Sequence, residues 1–507
     1  MRVALHRVES DCLKPIYDNQ ISKEETLELV VPDVSADIGK ILDVRGQFLL
    51  LSQKAKADEI HISASVEVSV IYAADDGGKV QSLMANIPID MTIPAIGADE
   101  NSKIVSRFEL CSLDARTLNP RKLLLRANVS ARISCLVPDK FVLWDNLSEG
   151  DKAPAYILQK TVEHTLYVGV REKSFLVTDE YRLPPEKDQN AKMLSAATEI
   201  CVEDIKAVGN KVVIKCVADT TAVFLSEADN CLFDCLFSTA FSQIIEVETY
   251  GDNVSSSVFL LLKDAEFTMG SDRENGLICT AQFNVAAQAI SKENKCSSYV
   301  ADAYSNEYKL TAETVDLKLM NCLPECSLML SLRGKLQSRA ELSSIMYASV
   351  SEFCTEVEGN EISINVNVSG VGQTEGGELE AIELKLSAEE SVALMKNQRL
   401  NIISVCCEKP TIIGVAQNAE FCVDVEIGYN IKELSEISAV CCLEINEENQ
   451  ICIGNRPSLV VLCAERDADI WSLAKKYGST MEMIENANKT GEVFSAAHRP
   501  LLIPRAK

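Results

Sequence analysis

The chain has 507 residues, of which 47% are hydrophobic and 24% charged. This globular composition excludes wholesale disorder, and the length is enough for roughly three or four domains. The net charge of −26 and the pI near 4.7 argue against nucleic acid, since a phosphate-binding surface needs clustered Lys and Arg. The same acidity disfavours an anionic membrane surface.

The first residues show no export signal, because charged side chains interrupt residues 1–12 and no apolar core is present there. A helix that spans a bilayer needs about 18 consecutive apolar residues, and no stretch of the sequence is that long. The longest apolar runs, such as residues 257–262, have the length of a strand. We therefore expect a soluble, cytoplasmic protein that does not insert into a membrane.

Alternation of apolar and polar residues dominates the chain that follows. This period of two predicts strands with one buried face, and the frequent β-branched residues suit a pleated sheet. Turn residues separate the segments, a pattern typical of β-sandwich-like domains. The clearest segments are residues 66–72, 123–133, 211–217, 280–286, 362–368 and 421–429.

A similar order of segments occurs three times, at a spacing of about 150 residues. In each copy we predict a strand, a short helix and, after an acidic turn, a long alternating strand. Pro32 and Pro184 follow the first strand, where proline favours a helix start. The period exceeds that of solenoids, so we predict tandem domains. Their boundaries are residues 1–150, 151–300 and 301–455.

The remaining residues, 456–507, differ from the body in charge and pattern. Seven Lys/Arg and six Asp/Glu from residue 464 onward give a net charge of +1. Strands are predicted at residues 458–463 and 500–504, with two short helices between them, in the order βααβ. Asp469 is expected to cap the first helix, Gly478 to end it, and Ser479 to open the second.

The nineteen cysteines are expected to be reduced thiols, because no export signal precedes them. Many lie in apolar runs, where cysteine acts as a small hydrophobe. Pairs such as Cys231 and Cys235 have ligand spacing, but no second pair follows at zinc-site distance. Core filling is favoured over metal binding, so neither a metal nor a cofactor is predicted.

The sequence gives little support for catalysis. None of the four histidines belongs to a His-x-x-x-His pattern, and neither Gly-x-Ser-x-Gly nor the P-loop pattern occurs. A solvated acidic surface accounts for the many carboxylates. We therefore predict that the chain is not an enzyme and has no catalytic residues.

The repeats resemble the SPOCS domain, a module of spore-coat proteins in endospore-forming bacteria. Residues 30–46 and 119–129 carry this resemblance. It extends over nearly all of residues 1–455, but its signatures are kept in the first copy and lost in the second and third. The resemblance implies tandem SPOCS repeats.

The tail is similar to the LysM domain in its first helix and its closing strand. It departs from that family in residues 467–469 and 496–499, two loops that flank the sugar groove of glycan-binding members. These departures favour a protein ligand over chains of N-acetylglucosamine. The matching residues are Trp471, Leu473, Ala474, Tyr477 and residues 502–504.

The resemblance also places a partner-binding groove on the tail. Trp471 is interpreted equally well as a core residue or as a partner contact, whereas the periodicity favours a core position for Tyr477. The residues predicted for the groove are Asp467, Asp469, Ile470, Trp471, Lys475, Asn488, Lys489 and Arg499.

SPOCS-like repeats followed by a LysM-like tail resemble the spore-coat morphogenetic proteins. This resemblance implies a scaffold in the mother-cell cytoplasm, at the forespore surface, that tethers coat proteins. Its tail is expected to bind the morphogenetic ATPase at the base of the coat, and self-association is a further option. The alternative is LysM-mediated binding of peptidoglycan or its precursors, which the missing export signal and the altered loops disfavour.

Overall fold

The computed structural model describes residues 1–75, 78–148, 154–247, 253–272, 276–336, 341–414, 416–451, 457–463, 469–488 and 500–505. In these ranges the chain is almost entirely β, and every strand pairing is antiparallel. The prediction of a mainly β fold is therefore confirmed.

The first unit packs two sheets face to face. After the short strand β1 (Arg2–Val3), its strands are β2 (Leu5–Val30), β3 (Ile38–Lys56), β4 (Glu59–Ala74), β5 (Val80–Pro94), β6 (Lys103–Asn119) and β7 (Lys122–Leu147). Strands β3, β4 and β5 form one sheet, and β2, β7 and β6 belong to the other. Alternate residues such as Val66 and Val129 fill the core between them, as the period of two predicts.

The second unit repeats this order of strands. They are β8 (Tyr156–Arg182), β9 (Lys192–Val208), β10 (Lys211–Leu225), β11 (Leu232–Glu246), β12 (Val254–Asp272) and β13 (Gly276–Tyr304). Strands β9, β10 and β11 form the smaller sheet, and β8, β13 and β12 are neighbours in the larger one. Phe224 and Phe283 are buried in one core cluster between the two sheets.

The third unit follows the same order with two strands interrupted. Its strands are β14 (Tyr308–Cys322), β15 (Cys326–Lys335), β16 (Leu342–Glu358), β17 (Glu361–Thr374), β18 (Leu379–Ser391), β19 (Gln398–Cys407), β20 (Thr411–Ile413) and β21 (Glu420–Gln450). A 3₁₀ turn, Ala416–Asn418, precedes β21. Strand β21 pairs with β14, β15, β19 and β20, and the sheet of β16, β17 and β18 packs against it.

The three units meet around a shared apolar cluster. Ile71, Val223 and Val371 come from corresponding strands of the three units, and all three are buried in this cluster. The chain start also contacts the last strand of the third unit, because β1 pairs with β21 through Arg2 and Glu444. Each unit therefore packs against the other two.

Two disulfides join different units, which corrects the expectation that every thiol is reduced. Cys111 pairs with Cys354, linking the first and third units, and Cys201 pairs with Cys406, linking the second and third. The partners lie 243 and 205 residues apart in sequence, so no local pattern could indicate them.

The short helices predicted after Pro32 and Pro184 are also wrong. Both prolines lead into turns, in which Ser35 and Lys187 donate backbone hydrogen bonds to the proline carbonyls. The following segments are strands β3 and β9, because pairing with β4 and β10 satisfies their backbone groups. The short apolar runs in these segments fit a helix as well as a strand. Pairing with a neighbouring strand therefore determines which structure forms.

The tail forms its own small unit. Strand β22 (Leu459–Cys463) is followed by helices α1 (Ile470–Tyr477) and α2 (Met481–Asn488) and by strand β23 (Pro500–Pro504). Strand β22 pairs with β23, and both helices contact β23. None of the helices in the described part of the chain is long and apolar enough to cross a membrane.

Candidate functional site

Local signals set the start and end of helix α1. Asp469 has extended backbone angles and accepts hydrogen bonds from the Ser472 backbone N–H at 2.6 Å and from its hydroxyl at 2.7 Å. Gly478 ends the helix with a φ of 67°, a left-handed conformation in which glycine has no steric penalty. Both capping predictions are confirmed, and they orient the face that carries Trp471.

The cap of helix α2 differs from the prediction. Thr480 Oγ1 accepts the backbone N–H of Met483 at 3.1 Å, so Thr480 rather than Ser479 is the N-cap. Ser479 is buried, and its hydroxyl donates to the carbonyl of Pro504 at the end of β23. This hydrogen bond holds the turn between the helices against the closing strand.

Trp471 lies at the contact of the tail with the second unit. The residue is only 8% exposed, and its ring packs against the ring of Tyr304 in a T-shaped arrangement, with centroids 4.8 Å apart. Tyr304 also stacks on Tyr156 at 5.2 Å. The apolar cluster around Trp471 therefore includes residues of the body as well as of the tail.

Asp302 of β13 is the polar centre of this contact. Its Oδ2 accepts the indole N–H of Trp471 at 2.8 Å, and both its oxygens accept from Lys475 Nζ at 2.7 Å. Partial burial opposes ionisation of Asp302, but the hydrogen bonds from Lys475 and Trp471 outweigh it and lower the pKa of the carboxyl. The carboxylate is thus held in its charged form.

The backbone of the tail contributes a third polar contact. The carbonyl of Ser479 accepts the hydroxyl of Tyr304 at 2.9 Å and the side-chain amide of Asn306 at 3.1 Å. The sequence did not indicate Asp302, Tyr304 or Asn306, because they lie more than a hundred residues before the tail and belong to no motif. Only the fold brings them to Trp471.

Several predicted groove residues hold the tail together instead of lining an open groove. Ile470 is buried with Trp471 in the tail core. The Asn488 amide exchanges two hydrogen bonds with the Leu502 backbone, at 2.7 and 2.8 Å, which ties α2 to β23. Asp469 caps α1, and Lys475 is partly exposed beside Asp302. The other three, Asp467, Lys489 and Arg499, lie outside the described residues.

A second arrangement involves the signature segments of the first unit. The Arg121 guanidinium donates to the carbonyls of Val31 and Ser35 and to the carboxylates of Asp33 and Asp37, at 2.8 to 3.1 Å. Hydrogen bonding to Asp37 raises the pKa of Arg121 above its ordinary value. Arg121 therefore links four oxygen atoms around the turn after Pro32.

The second unit fixes the corresponding turn by different residues. The side-chain amide of Gln189 donates to the carbonyls of Pro184 and Lys187, and its oxygen accepts the backbone N–H of Leu277. Asp188 accepts from Ser226 and from two backbone N–H groups. The altered signature of this copy thus accompanies a different hydrogen-bonding solution for the same turn.

One group of side chains in the described ranges has the spacing of a metal site. The ligand atoms of Glu109, Cys111 and Cys354 lie within 4.8 Å of one another. The two sulfurs are bonded to each other, while Glu109 pairs with Arg107 at 2.8 Å and accepts from Thr355 at 2.6 Å. These bonds occupy the ligand atoms, so we assign no metal to them.

A cavity of about 660 Å³ lies where the three units meet, and Glu199 and Glu352 are among its lining residues. Burial raises the pKa of each of these carboxyls to about 7. Glu352 accepts hydrogen bonds from Ser351 at 2.8 Å and Asn367 at 3.2 Å. Both carboxyls are therefore sensitive to pH near neutrality.

Comparison with known families assigns the first unit. The family model described as SipL, SPOCS domain, matches residues 37–117, which contain β3, β4, β5 and almost all of β6. No curated protein matches the chain. The match begins inside the first signature segment, residues 30–46, and ends just before the second, residues 119–129. Residues 37–117 of the chain are therefore similar to a SPOCS domain.

Proposed function

We propose that the chain is a non-catalytic scaffold of spore-coat or spore-envelope assembly, which acts in the mother-cell cytoplasm at the forespore surface. The observation that carries this proposal is the match of residues 37–117 to the SPOCS domain, a sporulation module. The second and third units are proposed to be divergent SPOCS repeats, since their strands follow the same order. Three mutually packed units supply a rigid platform.

The tail is proposed to be a LysM-like module that binds a protein of the coat. Its two helices and paired strands support this, and so does Lys475, a partly exposed cation beside Trp471 on an otherwise acidic chain. The expected partner is the morphogenetic ATPase at the base of the coat. A few apolar anchors such as Trp471 then provide most of the binding free energy.

The test is capture of purified coat ATPase by the immobilised full-length chain at physiological salt, with peptidoglycan sacculi as the competing ligand. Lys475→Glu is expected to weaken ATPase capture at least about tenfold, because it reverses the charge beside Trp471. Lys476→Glu is the matched control, since it makes the same charge change at the next exposed position of α1.

The control is expected to capture the ATPase as the parent chain does. Retention of the parent chain by sacculi, without ATPase capture, would instead support the alternative function in peptidoglycan binding. Equal capture by both variants would reject Lys475 as a partner contact.

A further inference from the structure

The surface that the proposed partner would use is already occupied by the chain itself. We define the Trp471 face as the indole of Trp471, the ammonium of Lys475 and the carbonyl of Ser479. All three of these groups bond to a short stretch of β13 and the residues just after it, namely Asp302, Tyr304 and Asn306. The occupant therefore shows what chemistry the face accepts.

That chemistry is a carboxylate and an aromatic ring on one side of an extended segment. Asp302 and Tyr304 are two residues apart, which places them on the same side of β13. The pairing of β13 with β8 shifts register between Val300 and Asp302, and such a bulge redirects the side chains that follow it. The Asp302 carboxylate accepts from the Trp471 indole N–H and the Lys475 ammonium, and the Tyr304 ring packs against the indole in a T-shaped arrangement.

The contact depends on side chains rather than on a shared sheet. In the described part of the chain, β22 and β23 pair only with each other, so no strand ladder joins the tail to the body. Tyr304 and Leu158 are the body residues in the apolar cluster around Trp471, and its other members belong to the tail. A contact of this kind can exchange with an equivalent segment of another molecule.

We infer that the Trp471 face recognises an extended segment that carries a carboxylate two residues before an aromatic ring, and that Asp302–Tyr304 occupies this face in competition with the partner. This inference rests on the proposed function, which it deepens by naming the chemistry of the partner segment. It also makes the body a regulator of the tail, since a partner must displace Asp302 before it can bind.

The direct test uses a fluorescein-labelled peptide of residues 298–308 as the probe and the full-length chain as the receptor. The parent chain is expected to bind the peptide weakly, because its own Asp302 occupies the face. Asp302→Ala is expected to bind it about tenfold more tightly, the factor typical of charged hydrogen bonds in an exchange of this kind. Asp316→Ala, an exposed carboxylate of β14, is the matched control and should bind as the parent does.

A second readout reports release of the tail without any ligand. Trp144→Phe leaves Trp471 as the sole tryptophan of the chain. Adding Asp302→Ala should then raise quenching of Trp471 by acrylamide several-fold, while circular dichroism shows that the strands are kept.

Three outcomes would overturn the inference. They are equal peptide binding by the parent and Asp302→Ala, equal binding of a peptide whose Asp302 is replaced by Ala, and unchanged quenching of Trp471. If the coat ATPase is nevertheless captured in a Lys475-dependent way, the proposed function stands and only the competition is wrong. If the peptide behaves as expected and the ATPase is not captured, the face is correct and the assigned partner is wrong.

Discussion

Arg121 shows how a single side chain fixes a signature segment of the SPOCS unit. Its planar guanidinium donates to four oxygen atoms around the turn after Pro32, a geometry that the single ammonium of lysine cannot reproduce. We expect Arg121→Lys to loosen the turn although it keeps the charge. Hydrogen exchange should become faster at the Ser35 and Ile38 amides, which bond to the carbonyls of Pro32 and Pro120.

Arg126→Lys is the control for this prediction, because Arg126 lies in β7, five residues after Arg121, and pairs with exposed carboxylates. It should leave exchange at Ser35 and Ile38 unchanged. Equal exchange in the parent chain and in Arg121→Lys would show that the turn is held by its backbone alone.

Glu352 makes the stability of the body depend on pH. The side chain is buried, with 6% of its surface exposed, and burial raises its pKa to about 7, with Asp43 contributing in the same direction and Arg45 opposing. In the unfolded chain the carboxyl ionises near its ordinary pKa, so between pH about 4.5 and 7 the folded state retains a proton that the unfolded state loses. This group therefore lowers stability as pH rises through that window.

Glu352→Gln removes this ionisation and keeps an oxygen that can accept from Ser351 and Asn367. We expect the variant to be more stable than the parent at pH 8 by about 3 kcal/mol and to gain little at pH 5. Urea unfolding at the two pH values measures the difference. A gain of the same size at both would assign the effect to packing rather than to charge.

At the scale of elements, the corresponding strands of the three units meet through equivalent apolar residues. Leu42 of β3 and Leu194 of β9 are both buried in the cluster shared by all three units. We expect Leu42→Ala and Leu194→Ala to destabilise the chain by similar amounts, about 2–5 kcal/mol each, because each leaves a cavity at the same kind of junction. Thermal and urea unfolding measure both.

Leu51→Ala is the control on the same strand as Leu42, since its side chain is 56% exposed. Leu51→Ala should lower the free energy of unfolding far less than either core variant does. If Leu194→Ala is tolerated while Leu42→Ala is not, the second unit does not share the packing of the first.

Local patterns were sufficient where a single segment decides its own structure. The alternation of β4 and β7 predicted their buried faces, and Asp469 and Gly478 predicted the ends of α1. The turns after Pro32 and Pro184 could not be predicted, because pairing with β4 and β10 determines the conformation of the residues that follow. The contact of Trp471 with the body was missed for the same reason, since only the fold brings Asp302 to the indole.

At the scale of the whole molecule, two disulfides and the pairing of β1 with β21 close the three units on one another. Each disulfide closes a loop of more than two hundred residues in the unfolded chain. This constraint contributes about 2–5 kcal/mol to the free energy of unfolding. We expect a thiol reductant to lower the unfolding temperature of the parent chain. A variant with Ser at Cys111, Cys201, Cys354 and Cys406 should unfold at that lower temperature with or without reductant.

Peptide mapping by mass spectrometry is the companion measurement, and it should recover the linked pairs Cys111–Cys354 and Cys201–Cys406 from the protein as purified under oxidising conditions. An unfolding temperature that reductant does not change, in a protein whose linked pairs are recovered, would contradict a stabilising role for these bonds.

The location of the protein during sporulation tests the proposed scaffold most directly. A fluorescent fusion of the full chain should form a shell around the forespore. With Trp471→Ala the fluorescence should spread through the mother cell, because the tail loses its anchor, while Glu485→Ala, an exposed change in α2, should keep the shell. A shell that persists with Trp471→Ala, in a protein present at the level of the parent, would contradict the claim that the tail tethers this chain to the coat.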